Sequence, residues 1–499
     1  MMRRMDQKSR ARLRERFLSA ATGVAAALCT LMFLGMIVLT VLNAVLLYQT
    51  SLRSREESYP LDTLLTQNAE EYTARTSSVS AILPEMIGCR LGDDRRGICA
   101  GYEVVRDYYA LLNEYLSYGM SEAFRCTQLD APEGEALWAS CLSCERYVYV
   151  RYPDQLPYML LYRSLDGVST DIMAGGDTAE VREMFLLFTP YSEQLYTLRI
   201  VTRDDAGRVY SFVREDQSDD ARRYFSLEAI AAYGKNSSFL PFSFAGELSG
   251  SEDLRALLSP MQPVFSQLLT TRCAVLQDTL RPQRTEASYR AVLELFHFNF
   301  NKLSSYADAA DDQTYVENYG TLRWDTDGGL LFTAGDGGGI ALSSYLSYRN
   351  LNNQYSLYDL LAGLEGLLSA LRDSCPGVTG GDARLQLASI SMDGEDILVR
   401  YRYLCDNIPL YTEEGEPYFG CEARIARGRL EALRLRACSA SLSEERVAAY
   451  PLSWTLERMN FASLPTGGVL SLGYRCADDT QEYTSQWFYR YREEEEAAA

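Results

Sequence analysis

The chain has 499 residues, 47% of them hydrophobic, and a formal net charge of −20. That length accommodates two or three domains at ~100–200 residues each. The charge is unevenly placed: residues 1–16 carry seven Lys or Arg against Asp6 and Glu15, a net of +5, whereas residues 52–499 carry a net of −25. An acidic surface disfavours nucleic acid and anionic polymers, which are bound through basic patches.

Between these charged regions lies Phe17–Ser51, which contains no charged side chain. It exceeds the ~20 apolar residues that cross a bilayer as a helix, and the basic flank belongs on the cytoplasmic side. A secretory apolar region runs only ~7–15 residues and ends in a small-residue cleavage site. This one ends in Val45-Leu-Leu-Tyr-Gln49 without such a site. The expectation is a cytoplasmic basic segment over 1–16, an uncleaved transmembrane helix over 17–48 and the remainder outside the cell membrane. Within the helix Ala20, Gly23 and Ala27 share one face, where small residues admit a partner helix, and Asn43 adds an interhelical hydrogen-bonding group.

A polar juxtamembrane stalk is expected over 49–80 and a membrane-proximal domain over 81–245. Tyr102 to Tyr118 has the period of an amphipathic helix, with Val105, Tyr108, Leu112 and Leu116 on one face and Gly119 as its C-cap. Strands are expected at Tyr147–Tyr152, Tyr158–Leu165, Met184–Thr189 and Leu195–Val201, the last turning through Asp205-Ala-Gly207 into Arg208–Val213. Ser, Gly and Pro over Asn236–Glu252 mark a boundary, so residues 246–285 are expected as a linker.

The C-terminal domain, 286–492, opens with a helix near Glu286. A strand over Thr314–Trp324 and another over Leu330–Ala334 follow. Next comes a Ser356-capped helix with Leu360, Leu361, Leu364, Leu367, Leu368 and Leu371 on its inner side. Strands return at Leu385–Ile390 and Asp396–Leu404, and a hairpin turns at Ala426-Arg-Gly428. Residues 493–499 form an acidic tail. Each region runs helix then strands without βαβ alternation, which predicts α+β domains with antiparallel sheets.

Signals for chemistry are sparse. The single histidine, His297, reads as a semi-buried residue at a helix end, and no GxSxG elbow accompanies it. Gly335-Asp-Gly-Gly-Gly339 lacks the following Gly-Lys-Ser/Thr and helix of a phosphate loop. Asp325-Thr-Asp327 lacks the later oxygen ligands of a calcium loop and reads as a turn. Cys141-Leu-Ser-Cys144 has no second pair or nearby His for zinc and reads as a local disulfide or plain core thiols. Cys89 and Cys99 bracket a ten-residue-scale loop suited to closure by a disulfide in an oxidising exterior. No catalytic, cofactor or metal residue is assigned.

The segments Phe296-His-Phe-Asn-Phe300, Thr314-Tyr-Val-Glu-Asn-Tyr-Gly320 through Asp325, Gly329–Ala334, the Leu-rich helix and Val399-Arg-Tyr-Arg-Tyr403 with Ile408-Pro-Leu410 together resemble the YycH/YycI family. The Tyr-rich helix and the Trp138 segment before Tyr147–Tyr152 resemble its longer member. The resemblance implies one transmembrane helix, an α+β exterior, no enzymatic activity and no cofactor. It also implies association with a sensor histidine kinase and with a homologous single-pass regulator. The expected function is a non-catalytic regulator of cell-envelope signalling. The alternative is an extracytoplasmic cell-wall binding protein or carboxylate-dependent wall hydrolase with a Tyr-lined groove.

Overall fold

Alternating Val, Ile, Tyr and Phe dominate the chain beyond residue 81, and strands follow from that pattern because such side chains pack well on a pleated surface. The structure, a computed structural model, describes residues 82–490 apart from 93, 122–123, 166–178, 215–222, 248–256, 268, 277–285, 308–311, 326–328, 336–337, 347–354, 375–378, 395, 412–416, 437, 450–467, 476–481 and 484. The basic segment, the expected helix 17–48 with Ala20, Gly23, Ala27 and Asn43, the stalk and the acidic tail lie outside the described residues. Among the described residues no helix is long and apolar enough to cross a membrane.

The first sheet has nine strands: β1 (Met86–Arg90), β2 (Arg95–Ile98), β3 (Phe124–Gln128), β4 (Tyr147–Pro157), β5 (Glu180–Pro190), β6 (Tyr196–Arg203), β7 (Val209–Arg214), β8 (Leu240–Phe244) and β9 (Pro263–Phe265). Their order is β3-β7-β6-β5-β4-β1-β2-β8-β9, and every pairing is antiparallel. Later in the chain come β10 (Leu269–Leu276), β11 (Ser304–Ala307), β12 (Gln313–Glu317), β13 (Gly320–Trp324), β14 (Gly329–Ala334), β15 (Ile340–Ala341), β16 (Thr379–Gly381) and β17 (Ala383–Asp393). They are followed by β18 (Asp396–Cys405), β19 (Ile408–Tyr411), β20 (Phe419–Ala426), β21 (Arg429–Arg436), β22 (Cys438–Ala449), β23 (Val469–Arg475), β24 (Glu482–Tyr483) and β25 (Ser485–Arg490).

Twelve of these form a second sheet in the order β11-β12-β13-β14-β21-β20-β18-β19-β23-β25, with β15 on β21 and β17 on β18. A four-stranded sheet, β16-β22-β10-β24, completes the set. Among the strands of the described residues, β19 with β23 and β16 with β22 pair in parallel. The α+β class with antiparallel sheets is therefore what the chain adopts.

Among the described residues, the α-helices that pack on this framework are α1 (Tyr102–Gly119), α2 (Ala131–Ser143), α3 (Tyr158–Ser164), α4 (Glu228–Tyr233), α5 (Glu286–Leu295) and α6 (Leu357–Ser374). The inner face of α1 carries Val105, Tyr108, Leu112, Tyr115 and Leu116, all buried. Gly119 is the last helical residue rather than the cap, which is Met120, and it lies against Ile200 of β6, where a Cβ would collide with the side chain. Helix α6 begins in a reciprocal cap. Ser356 donates its N–H (2.7 Å) and Oγ (2.6 Å) to the Asp359 carboxylate, and its Oγ accepts from Asp359 N–H at 3.3 Å. Its Leu360, Leu361, Leu364, Leu367 and Leu371 are buried, each worth about 1.5–3 kcal/mol of transfer.

Both faces of the first sheet are covered. Along β4, Val148, Val150 and Tyr152 enter the core that holds α1, whereas Tyr147 and Tyr149 enter a second core with Trp138 and Cys141 of α2. The first core runs on into α5, α6 and the second sheet, through Val292, Leu361, Val399 and Leu433. All described residues belong to one compact unit. The two large sheets thus share a core.

Three expectations need correction. Residues 246–285 do not form a plain linker: β9 completes the first sheet, and β10 pairs with β22 over most of its length. Tyr158–Ser164 is helix α3, with Tyr158–Arg163 all buried. An unbroken apolar run without a polar face has no period to tell strand from helix, and Pro157 leads into its first turn. Thr314–Trp324 is a hairpin, with Glu317 opposite Gly320. A Cβ on Gly320 would meet the backbone oxygen of Thr333 on β14.

Candidate functional site: a charged seam between the sheets

Where the two large sheets meet, charged side chains enter the interior. Glu85 precedes β1 and is 8% exposed; Arg151 on β4 is 6% exposed and Arg402 on β18 is 2% exposed. The Glu85 N–H donates to the Arg151 carbonyl at 2.9 Å, so strand pairing itself brings the two side chains together. Arg151 Nε lies 2.9 Å from Glu85 Oε1, and Arg402 Nη2 lies 3.5 Å from Oε2. One carboxylate thus joins two guanidinium groups, one from each sheet.

Buried amides extend the cluster. Arg402 donates from Nε (3.2 Å) and Nη2 (3.1 Å) to Gln386 Oε1, and Gln386 Nε2 donates to the Leu83 carbonyl at 2.8 Å. Arg151 Nη1 donates to Gln262 Oε1 at 3.2 Å. Gln262 Nε2 donates to the carbonyls of Pro263 and Leu470, each at 3.1 Å. Glu183, opposite Arg151 in the β4–β5 register, accepts from Tyr149 Oη at 2.8 Å. Burial draws the Arg151 pKa down, but Glu85 and the other anionic neighbours outweigh it and the net shift is upward.

A second latch lies alongside. The β18–β19 turn places Asp406 (φ 53) and Asn407 (φ 66) in the left-handed region, which Asn and Asp tolerate better than other non-glycine residues. Asp406 O accepts from Gly101 N–H at 2.8 Å and Oδ1 accepts from Tyr102 N–H at 3.1 Å, so the second sheet caps the start of α1. Burial pushes the Asp406 carboxyl up, partly offset by the Tyr102 N–H. Beside the seam is a cavity of about 30 Å³ bordered by Glu85, Arg151, Gln262, Asn407, Cys99 and Ser471.

The remaining sequence candidates are dispersed. Cys89 and Cys99 are free thiols rather than a disulfide. The β1–β2 register pairs Cys89 with Arg96 and Ile87 with Ile98. Cys89 therefore enters the α1 core, whereas Cys99 packs on the opposite side with the second core. Burial lifts the Cys89 thiol to about 11 and the Cys99 thiol to about 12. Cys141 and Cys144 close the C-terminal turn of α2 as free thiols, and burial raises both.

His297 lies in the turn just after α5 with φ 59 and is exposed, not semi-buried, with Nε2 3.5 Å from Tyr345 Oη. Gly335 and Gly339 belong to the turn between β14 and β15, where Arg429 Nη2 donates to the Gly339 carbonyl at 2.8 Å. Asp325 N–H donates to the Gly329 carbonyl at 2.8 Å where β14 begins, and its carboxylate accepts from Arg323 Nε at 2.7 Å. Among the described residues, no group of three or more His, Cys, Asp or Glu side chains stands where it could hold a metal ion.

The seam escaped sequence reasoning because each member looks ordinary in isolation. Arg402 sits in Val399-Arg-Tyr-Arg-Tyr403, where alternation assigns both arginines to a solvated face. Arg151 offers a faint signal: it shares a face with Tyr147 and Tyr149 in a strand that has no polar side. No family model matches the chain, and no curated protein or solved structure matches it.

Proposed function

We propose that this chain is a single-pass membrane protein whose exterior acts by contact rather than by chemistry, tuning a sensor histidine kinase of the cell envelope. The carrying observation is Phe17–Ser51, an uncharged run behind a flank of net +5 and ahead of an acidic remainder. The antiparallel α+β exterior agrees with what the YycH/YycI resemblance implies. The seam favours a mechanical role as well. Its Glu85 carboxylate is clamped by guanidinium groups from both sheets, and its cavity of about 30 Å³ is far below the ~300–1,000 Å³ of small-molecule pockets.

In this reading the face of Ala20, Gly23 and Ala27, with Asn43 near its outer end, meets a helix of the kinase or of a homologous single-pass regulator. The test is photocrosslinking from positions 23 and 27 in native membranes, with mass spectrometry of the adducts. Recovery of a histidine kinase supports the proposal, and in a chain without the crosslinking group Gly23→Leu with Ala27→Leu should weaken co-purification of that kinase while leaving thermal unfolding of the exterior unchanged. Adducts with wall-synthesis enzymes, or with lipid alone, overturn it.

A further inference from the structure

Of the eight large hydrophobic side chains exposed among the described residues, four fall in one part of the second sheet: Phe300, Tyr306, Tyr319 and Leu331. Strand register orders them. Tyr306 on β11 lies opposite Thr314 on β12, Thr314 opposite Arg323 on β13, and Arg323 opposite Leu331 on β14. Tyr306 and Leu331 therefore share the face turned away from α5, which packs its Tyr289 on Trp324 of the other face. Phe300 and Tyr319 stand at the end of the β12–β13 hairpin: Asn299 N–H donates to Glu317 Oε2 at 3.3 Å, and Tyr319 lies in the turn after Glu317. Apolar side chains scattered singly are ordinary on a surface, whereas their concentration marks a contact surface.

The backbone is open at the same place. Strand β11 is outermost in its sheet, pairs among the described residues with β12 alone, and is exposed at all four positions, including Tyr306 at 57%. An edge strand presents a row of unpaired N–H and C=O groups to any further extended chain, and proteins blunt such edges with charge, proline or cover. The other outer strands of the two large sheets carry these devices. Arg125 stands in β3, Pro263 opens β9, and on β25 the Ser485 hydroxyl is hydrogen-bonded to that of Thr271 on β10 at 2.5 Å. Ser304-Ser-Tyr-Ala307 has neither charge nor proline.

Charge order selects the partner. The charged residues nearest β11 in sequence are Lys302 before it and Asp308 after it. Two such stretches paired antiparallel about Ser305 set Lys302 of each opposite Asp308 of the other, and Ser304 of each opposite Tyr306. Unlike charges across paired strands attract, whereas a parallel pairing in register would oppose like charges. With a net of −25 over residues 52–499, two copies repel over most of their surface, but here they meet with charges matched. We infer that β11 is a self-association edge, through which two copies of this chain join antiparallel about a two-fold axis and continue the second sheet from one into the other. Because β11 is short, the exposed aromatic side chains around it supply the rest of the contact.

The test uses the full chain, with a photoreactive phenylalanine analogue in place of Tyr306 crosslinked in native membranes, and sedimentation equilibrium of charge variants in detergent. The expected adduct is a chain dimer, mapped to residues 302–308 of the second copy. Lys302→Glu should weaken self-association roughly tenfold, since two pairs turn from attractive to repulsive, and adding Asp308→Lys should restore it. An anchor-mediated dimer would respond to neither substitution. Adducts with another protein or elsewhere on the chain, a monomeric parent chain, or a Lys302→Glu effect that is missing or not restored by Asp308→Lys overturns the inference.

Discussion

Replacing Glu85 with Gln tests whether the seam holds the sheets together. The substitution keeps the shape and removes the charge that Arg151 and Arg402 share, at 2.9 and 3.5 Å. Each contact is worth about 5–6 kcal/mol of gross Coulomb attraction at an effective dielectric near 20. Desolvation of these nearly inaccessible groups offsets much of that, and breaking a buried pair by removing one partner costs about 3–5 kcal/mol net. A domain's whole stability is of order 5–15 kcal/mol, so the variant should unfold at markedly lower urea. Equilibrium denaturation of the full chain in detergent, followed by Trp fluorescence, reads the midpoint. Replacing all three members, Glu85→Met with Arg151→Met and Arg402→Met, should recover much of the loss, because apolar replacement of a whole buried ionic cluster is often neutral. A Glu85→Gln change below about 1 kcal/mol, the range of exposed pairs, would refute the reasoning.

Asp406 supplies a pH test. Its folded pKa is raised, chiefly by burial, above the unfolded value of ~3.9. Between those values the native state binds more protons than the unfolded state, so Asp406 subtracts stability as pH rises through that window. Asp406→Asn should gain on the parent chain with rising pH when urea midpoints are compared from pH 4 to 8; a constant difference would refute this. Gly363 of α6 faces the Leu342 carbonyl, where a Cβ would sit inside van der Waals contact. Gly363→Ala should lower the thermal midpoint, by about 1–3 kcal/mol equivalent, although Ala in a helix ordinarily gains about 1 kcal/mol over Gly. Peptide mapping without reduction should recover Cys89 and Cys99 as free thiols, with slow native alkylation at pH 8. A Cys89–Cys99 disulfide would contradict the β1–β2 register.

The sequence by itself determined the elements whose period is local. Helices α1 and α6, strands β4, β5, β6 and β18 and the β6–β7 and β20–β21 hairpins follow from spacing, turn residues and the Ser356 cap. The α+β class followed from their order. It also marked Phe17–Ser51, because the absence of charge over a length is a property of the chain alone. Tertiary structure decided the rest. Tyr158–Ser164 became a helix because burial on all sides removes the period that separates helix from strand. Pro263–Phe265 and Leu269–Leu276 became strands because β8 and β22 offered edges to pair with. Cys89 and Cys99 were separated by hairpin register, which sends neighbours in sequence to opposite faces. The seam is the extreme case. Glu85 and Arg402 are separated by more than 300 positions and only adjacency of the two sheets brings them together. A charge bound for the interior looks the same in sequence as one bound for solvent until the fold supplies its partner.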